Sequence, residues 1–201
     1  SPYYYLTELS AKCSAKRLVP DYISEKIMKR EKVDINGEGQ CYPVMGCRSA
    51  LTPYVDSFNR PKYYGRFNQG VNTLNLPYIA LESLKEDVSF YITLDKYLEI
   101  AKKGLLQRHE HLKGVKAKVA PILWQHGAIA RLDAEDTIEE LLYGGYSTIS
   151  LGFAGLNETV RALTNENILE PNGEAKGLEI MEYLNNKCDE WKREYDIDFS
   201  L

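Results

Sequence analysis

The sequence has 201 residues, of which 44% are hydrophobic and 27% charged, with a formal net charge of −4. At roughly 100–200 residues per domain this is one domain or a large part of one, and the composition excludes a disordered chain or a collagen-like repeat. The mildly acidic balance offers no electrostatic reason to bind nucleic acid or an anionic membrane, and no run of ~18 apolar residues is present to span one.

Fifteen Tyr against five Phe means that most of the aromatic surface carries a hydroxyl. The opening SPYYYLTELS has no initiator Met, no basic n-region and no apolar h-region, so it does not read as a signal peptide. It starts inside a helical pattern, and EYDIDFSL closes on a strand with no turn after it, so a piece of a longer, cytoplasmic chain is expected. The four cysteines, Cys13, Cys41, Cys47 and Cys188, contain no CxxC pair and stand far from the three histidines. They are expected as free thiols, with no metal site, and Cys13 and Cys188 as small buried residues of helices.

In chain order, apolar spacing predicts a helix over 3–16 and a second over 23–31, with Ser24 as its N-cap. Residues 33–40 read as a surface turn, 41–52 as a compact apolar run and 53–66 as irregular. Alternation predicts a strand over 69–76, and a long amphipathic helix follows over about 87–112, mildly broken at Gly104. Residues 118–125 are another apolar stretch. A short helix is expected over 133–142, with acidic residues in its first turn where the helix dipole favours them. A strand over 146–155 runs into a glycine turn, helices follow over 155–165 and 173–194, and IDFSL ends the chain as a strand. Helices and strands alternate, which predicts an α/β fold with largely parallel strands and no linker.

Three segments could carry chemistry. In Met45-Gly46-Cys47-Arg48-Ser49 a thiol follows a glycine in a tight apolar loop, where it is either presented or simply buried. In Tyr64-Gly65-Arg66-Phe67-Asn68-Gln69-Gly70 two glycines bracket amides that can grip hydroxyls, or else form a polar approach to a hairpin. The run Gly144–Gly155 offers backbone N–H groups at a helix start as an anion seat, or close strand–helix packing through small residues; its spacing fits neither a Walker loop nor a dinucleotide fingerprint. His109 and His111 are two apart on a helix and point about 200° away from each other, so they read as solvated. His126 reads as packed, and Glu135, Asp136, Glu139 and Glu140 as a solvated helix face.

The strings AKRLVPDYISEKIM, PVMGCRSALTPY, YGRFNQGVNTLNLPYIAL, APILWQHGAIARL and LLYGGYSTISLGFAGLNE together resemble the anaerobic, class III ribonucleoside-triphosphate reductases, a glycyl-radical enzyme family. They run in family order over nearly the whole chain. The resemblance implies that Cys47 falls on the family's thiyl-radical cysteine and Asn68, 21 residues later, on its active-site asparagine. It further implies Met45 and Ser49 as pocket-lining positions and the Gly152–Gly155 turn as a shaper of the substrate site. The implied fold is part of a ten-stranded α/β barrel of the ribonucleotide reductase and glycyl-radical type, with Cys47 on a loop threaded into its centre.

The implied activity is reduction of ribonucleoside triphosphates to deoxyribonucleoside triphosphates by thiyl-radical chemistry, with formate as reductant in one branch. The N-terminal regulatory cone, the second catalytic cysteine, the C-terminal four-cysteine zinc site and the radical glycine have no counterpart here. On this reading residues 1–201 are one region, the central slice of the catalytic barrel, carrying no cofactor itself and inactive alone. The complete enzyme would be a homodimer with a structural zinc and a glycyl radical installed by an iron–sulfur/S-adenosylmethionine activase. Open sheet edges should make the isolated slice associate, or keep an open sheet covered by helices. The alternative is a free-standing module that binds nucleotide or a partner without turnover.

Overall fold

A computed structural model describes the chain apart from residues 1, 21, 34–36, 43, 46–48, 52, 56, 57 and 64; of residues 44, 45, 49 and 50 it describes the backbone. The chain divides into two units, residues 1–41 and 42–201. In the first, helix α1 (Tyr4–Arg17) ends at Leu18 in the left-handed region, and α2 (Glu25–Glu31) is capped by Ser24, whose Oγ accepts from the Ile27 N–H at 3.4 Å. That cap satisfies one of the N–H groups that a helix start leaves without a partner. Cys13 is helical as expected but exposed, not buried.

In the second unit a two-residue strand β1 (Val44–Met45) pairs antiparallel with β2 (Ser49–Ala50). The main sheet is parallel in the order β3-β4-β5, built from β3 (Phe67–Asn75), β4 (Ser147–Ala154) and β5 (Asp198–Ser200). Between β3 and β4 run α3 (Leu76–Glu86), α4 (Phe90–Lys113) and the four-residue α5 (Pro121–Trp124). Between β4 and β5 run α6 (Leu156–Thr164) and α7 (Pro171–Tyr195). The two parallel connections explain the fold: each needs a crossover long enough for helices.

One core holds the sheet to its helices. Leu74, Ile149, Leu151 and Phe199 point from the three strands into the stripes Leu94, Leu98, Ala101, Leu105 of α4 and Ile180, Leu184, Cys188, Trp191 of α7. Those spacings of three and four keep each stripe on one helix face. β4 is buried along most of its length, as expected of the middle strand. The other face of the sheet carries Asn68, Thr148, Ser150, Gly152 and Ser200, with Val71 beside them as an apolar neighbour.

The sequence reading departs from this architecture in three places. Helix α3 was not anticipated, although Asn75 caps it (its Oδ1 accepts from the Tyr78 N–H at 3.1 Å) and Pro77 lies in its first turn. Residues 133–142 are not a helix beyond a 3-10 turn at Glu139–Leu142, because their backbone bonds across to the 115–118 segment: Ala117 N–H to Asp136 O, and Ile138 N–H to Val115 O. α4 is unbroken at Gly104, where the missing Cβ makes room for Asn72, whose Nδ2 donates to Ala101 O at 3.0 Å. Among the described residues the fold is mixed α/β, with a main sheet of three parallel strands. No helix among the described residues is long and apolar enough to cross a membrane.

Candidate active site

The site is built on the start of β3. Its register against β4 shifts between Asn68 and Val71, so two residues, Gln69 and Gly70, stand where one would pair. A bulge of this kind re-aims neighbouring side chains. Here it leaves Asn68 on the polar face and turns Gln69 toward the helices. Gly70 has φ +145°, and Arg108 of α4 occupies the place its Cβ would take, so a side chain is doubly disfavoured there.

Asn68 is half-buried and fully directed. The Gly70 N–H donates to its Oδ1 at 2.7 Å, while its Nδ2 donates to Thr148 Oγ1 at 3.0 Å and Ser150 Oγ at 2.5 Å. Ser150 Oγ lies 2.8 Å from Ser200 Oγ. A polar row therefore crosses all three strands, with Asn68 paired to Thr148 and Ser150 to Ser200 in the register.

On the opposite face, Gln69 Nε2 donates to Leu142 O at 3.0 Å and Ser147 Oγ at 2.9 Å, and its Oε1 faces His109 Nδ1 at 2.8 Å. His109 is 1% exposed, so the expected solvated histidine is a core residue; His126, expected to be packed, is exposed. His109 Nε2 is buried with no hydrogen-bond partner among the described residues. Burial, with the charge of Lys113 adding to it, pushes the imidazole below its ordinary pKa.

Arg66 anchors the approach to β3. It is 6% exposed, donates through Nε to Tyr146 O at 3.1 Å and through a terminal nitrogen to Gly145 O at 2.8 Å, and lies over the Tyr54 ring at 5.2 Å. Burial lowers its pKa, with Asp198 the largest opposing charge.

Among the residues expected from sequence, Cys47 lies outside the described residues. Met45 and Ser49, on either side of it in sequence, are Cα partners across β1 and β2. Gly152 and Gly155 do not join Asn68. Gly152 follows Thr148, Asn68's partner, by four residues on β4, or ~13 Å along a strand, and Gly155 by seven, or ~23 Å. Gly152 sits against Thr73, whose Oγ1 would lie 2.9 Å from an added Cβ. Gly155 is the N-cap of α6 at φ +77°, and Pro77 of α3 fills the space beside it; the Glu158 carboxylate comes within 3.6 Å of the Cβ position. A carboxylate there disfavours a bound anion, so this turn has the geometry of close packing.

A cleft of about 460 Å³ opens along β3, lined by Val71, Asn72, Tyr78, Tyr97, Ile100 and Gly104 among others; it does not include Asn68. Among the described residues no group of three or more His, Cys, Asp or Glu could hold a metal. Sequence reasoning singled out Gln69 together with Asn68 but missed Thr148, Ser150 and Ser200 as partners of the site. The signal was present in the polar alternation S-T-I-S-L and D-F-S of β4 and β5.

The whole chain, residues 1–201, matches the family described as anaerobic ribonucleoside-triphosphate reductase. It is 39% identical over 203 residues to the anaerobic ribonucleoside-triphosphate reductase of Escherichia coli, covering 100% of this chain and 28% of that protein. The corresponding figures are 38% identity and 28% coverage for the protein of that name from Haemophilus influenzae, and 38% and 32% for the one from Enterobacteria phage T4. The chain thus spans about 28–32% of the length of these curated relatives. With the family match extending over residues 1–201, the chain belongs to the anaerobic ribonucleoside-triphosphate reductase family.

Proposed function

We propose that residues 1–201 are the central slice of the catalytic barrel of an anaerobic ribonucleoside-triphosphate reductase, a single region supplying Cys47 and Asn68 to the reaction. The observation that carries this reading is the hydrogen-bonding row Asn68–Ser150–Ser200 on the sheet face turned away from the helices. In a closed ten-stranded barrel that face would line the interior, and hydroxyls and an amide are the groups to meet a ribose there.

In the proposed reaction the Cys47 thiol, as a thiyl, takes the 3′-hydrogen atom of the ribose. The 2′-hydroxyl then leaves as water, and a reductant, formate in one branch, supplies the electrons. A thiol suits the task because its S–H bond is comparable in strength to an activated C–H bond, so hydrogen transfer runs in either direction. Asn68 holds the ribose, while Met45 and Ser49 line the pocket around the sulfur. Gly152 and Gly155 contribute shape, by letting β4 and α6 approach β3 and α3 closely. The site must exclude water and stray reductants, which favours a walled cavity.

A glycyl radical, installed by an activase, would supply the oxidising equivalent from elsewhere in a longer chain. The structural zinc, homodimer contacts and cytoplasmic setting belong to that same proposal, and the slice alone would not turn over. The test is Cys47→Ala or Cys47→Ser in the complete reductase: deoxynucleotide formation should vanish while the glycyl-radical EPR signal persists. Retained turnover would overturn the reading.

A further inference from the structure

We propose that Asn68 meets its substrate only as a hydrogen-bond acceptor, and that Ser150, tied to Ser200, is the positioning residue that holds it so. This rests on the reading above that Asn68 belongs to the reductase site.

The argument is a count of donors and lone pairs. The Gly70 N–H can only donate, so the Asn68 atom 2.7 Å from it is the carbonyl oxygen, and the amide orientation is fixed. The amide nitrogen carries two hydrogens, and both are taken, one by Thr148 Oγ1 and one by Ser150 Oγ. A carbonyl oxygen has two lone pairs, and Gly70 engages one; the other has no partner among the described residues. Asn68 therefore offers a ligand a single acceptor site. It suits an O–H, N–H or S–H donor, and a ribose hydroxyl fits. A carboxylate such as formate, or a triphosphate oxygen, has no proton to give it.

Gly70 sets which way round the amide lies, and Ser150 holds it in that place. Its hydroxyl accepts from Asn68 and is itself bonded to Ser200 on the next strand, so the row spans β3, β4 and β5. Ser150 is 7% exposed, too enclosed for solvent to take its place. Asn68 stands opposite Thr148, its side chain reaches on to Ser150, and the bulge at Gln69 and Gly70 follows directly, with the Gly70 N–H turned back onto the Asn68 oxygen.

The experiment compares variants in the complete reductase, with glycyl-radical EPR and melting temperature as controls. A carboxylate at position 68 keeps the acceptor, and the hydroxyls of Thr148 and Ser150 can rotate to donate to it. Asn68→Asp should therefore keep kcat within about tenfold of wild type, while Asn68→Ala loses on the order of a hundredfold or more. Ser150→Ala should lower kcat about tenfold, the worth of one directed hydrogen bond, with KM changed less than about threefold and the radical signal intact; Ser150→Thr should restore most of it. Ser200→Ala should add nothing to Ser150→Ala, since it acts through that residue. An Asn68→Asp variant as inactive as Asn68→Ala overturns the acceptor assignment. Wild-type kcat in Ser150→Ala, or a loss confined to KM, overturns the positioning role. Failure of this inference is separable from failure of the reductase reading, because only the latter would leave Cys47→Ala active.

Discussion

His109 Nδ1 faces Gln69 Oε1 at 2.8 Å inside the core, and this one bond fixes the state of both residues. Gln69 spends its two amide hydrogens on Leu142 O and Ser147 Oγ, so its oxygen must face the histidine. His109 therefore carries its proton on Nδ1, and Nε2 is left as a bare, buried lone pair. A second proton would place a charge among apolar groups, which is why the imidazole titrates below its ordinary value.

A pH dependence of stability follows. The unfolded chain protonates this histidine near pH 6.5, whereas the folded chain does so only at lower pH. Between those two values the unfolded state binds more protons, so stability falls as the pH is lowered through 6.5 and stops falling below the folded pKa. Urea unfolding between pH 5 and 8 should show this slope, amounting to at most one proton. His109→Asn keeps a donor for Gln69 and removes the titration; its curve should be flatter, though lower overall because a ring is lost from the core. An unchanged slope would assign the effect to another group.

His109 also shows what was legible in the sequence. It continues the α4 stripe Leu94, Leu98, Ala101, Leu105 by a further four residues, so periodicity alone places it in the core. Its pairing with His111 and the charges around it pointed the other way. The long helices and the parallel strands were readable because their apolar periods are strong. The helix expected over 133–142 failed because pairing with residues 115–118 outweighs a favourable first turn: Lys116 and Thr137 are bridge partners, and Lys116 and Lys118 both bond Glu135. As for the site, GRFNQG marked Asn68, but no sequence pattern shows a bulge or says which hydroxyls a strand two crossovers away will bring beside it.

Two glycines with left-handed backbones separate strain from packing. Gly144 has φ +61° and open space where a Cβ would be, so Gly144→Ala should cost about 1 kcal/mol from the backbone alone. Gly155 has φ +77° and Pro77 directly against it, with the Cδ at 2.6 Å from the added atom. Gly155→Ala should cost about 2–4 kcal/mol, since the ring cannot move without shifting the start of α3. Thermal melts of the two variants should rank in that order; equal losses would remove the collision from the account.

The cysteines should differ sharply toward alkylating reagents. Cys188 is buried in α7, and desolvation pushes its thiol up to about 12. At pH 8 such a group is ionised on the order of one part in ten thousand, and the thiolate is the species that reacts. Cys13 is exposed on α1. Peptide mapping after brief treatment with iodoacetamide should find Cys13 modified and Cys188 intact until denaturant is added. Early labelling of Cys188 would mean that α7 opens readily from the sheet.

Arg66→Lys tests how the turn before β4 is held. The guanidinium reaches two carbonyls, those of Gly145 and Tyr146, through different nitrogens while lying over Tyr54. An ammonium is a compact point charge and cannot span both acceptors from one place, nor stack its plane on a ring. The substitution leaves a partly buried carbonyl short of a donor, which costs about 1 kcal/mol. The loss should be local before it is global. Tyr146 N–H, which donates to Tyr143 O at 3.1 Å, should exchange with solvent faster, while the amides of α7 keep their protection. If protection of Tyr146 is unchanged and the melting temperature holds, the turn is maintained by its glycines alone and Arg66 is only packed against it.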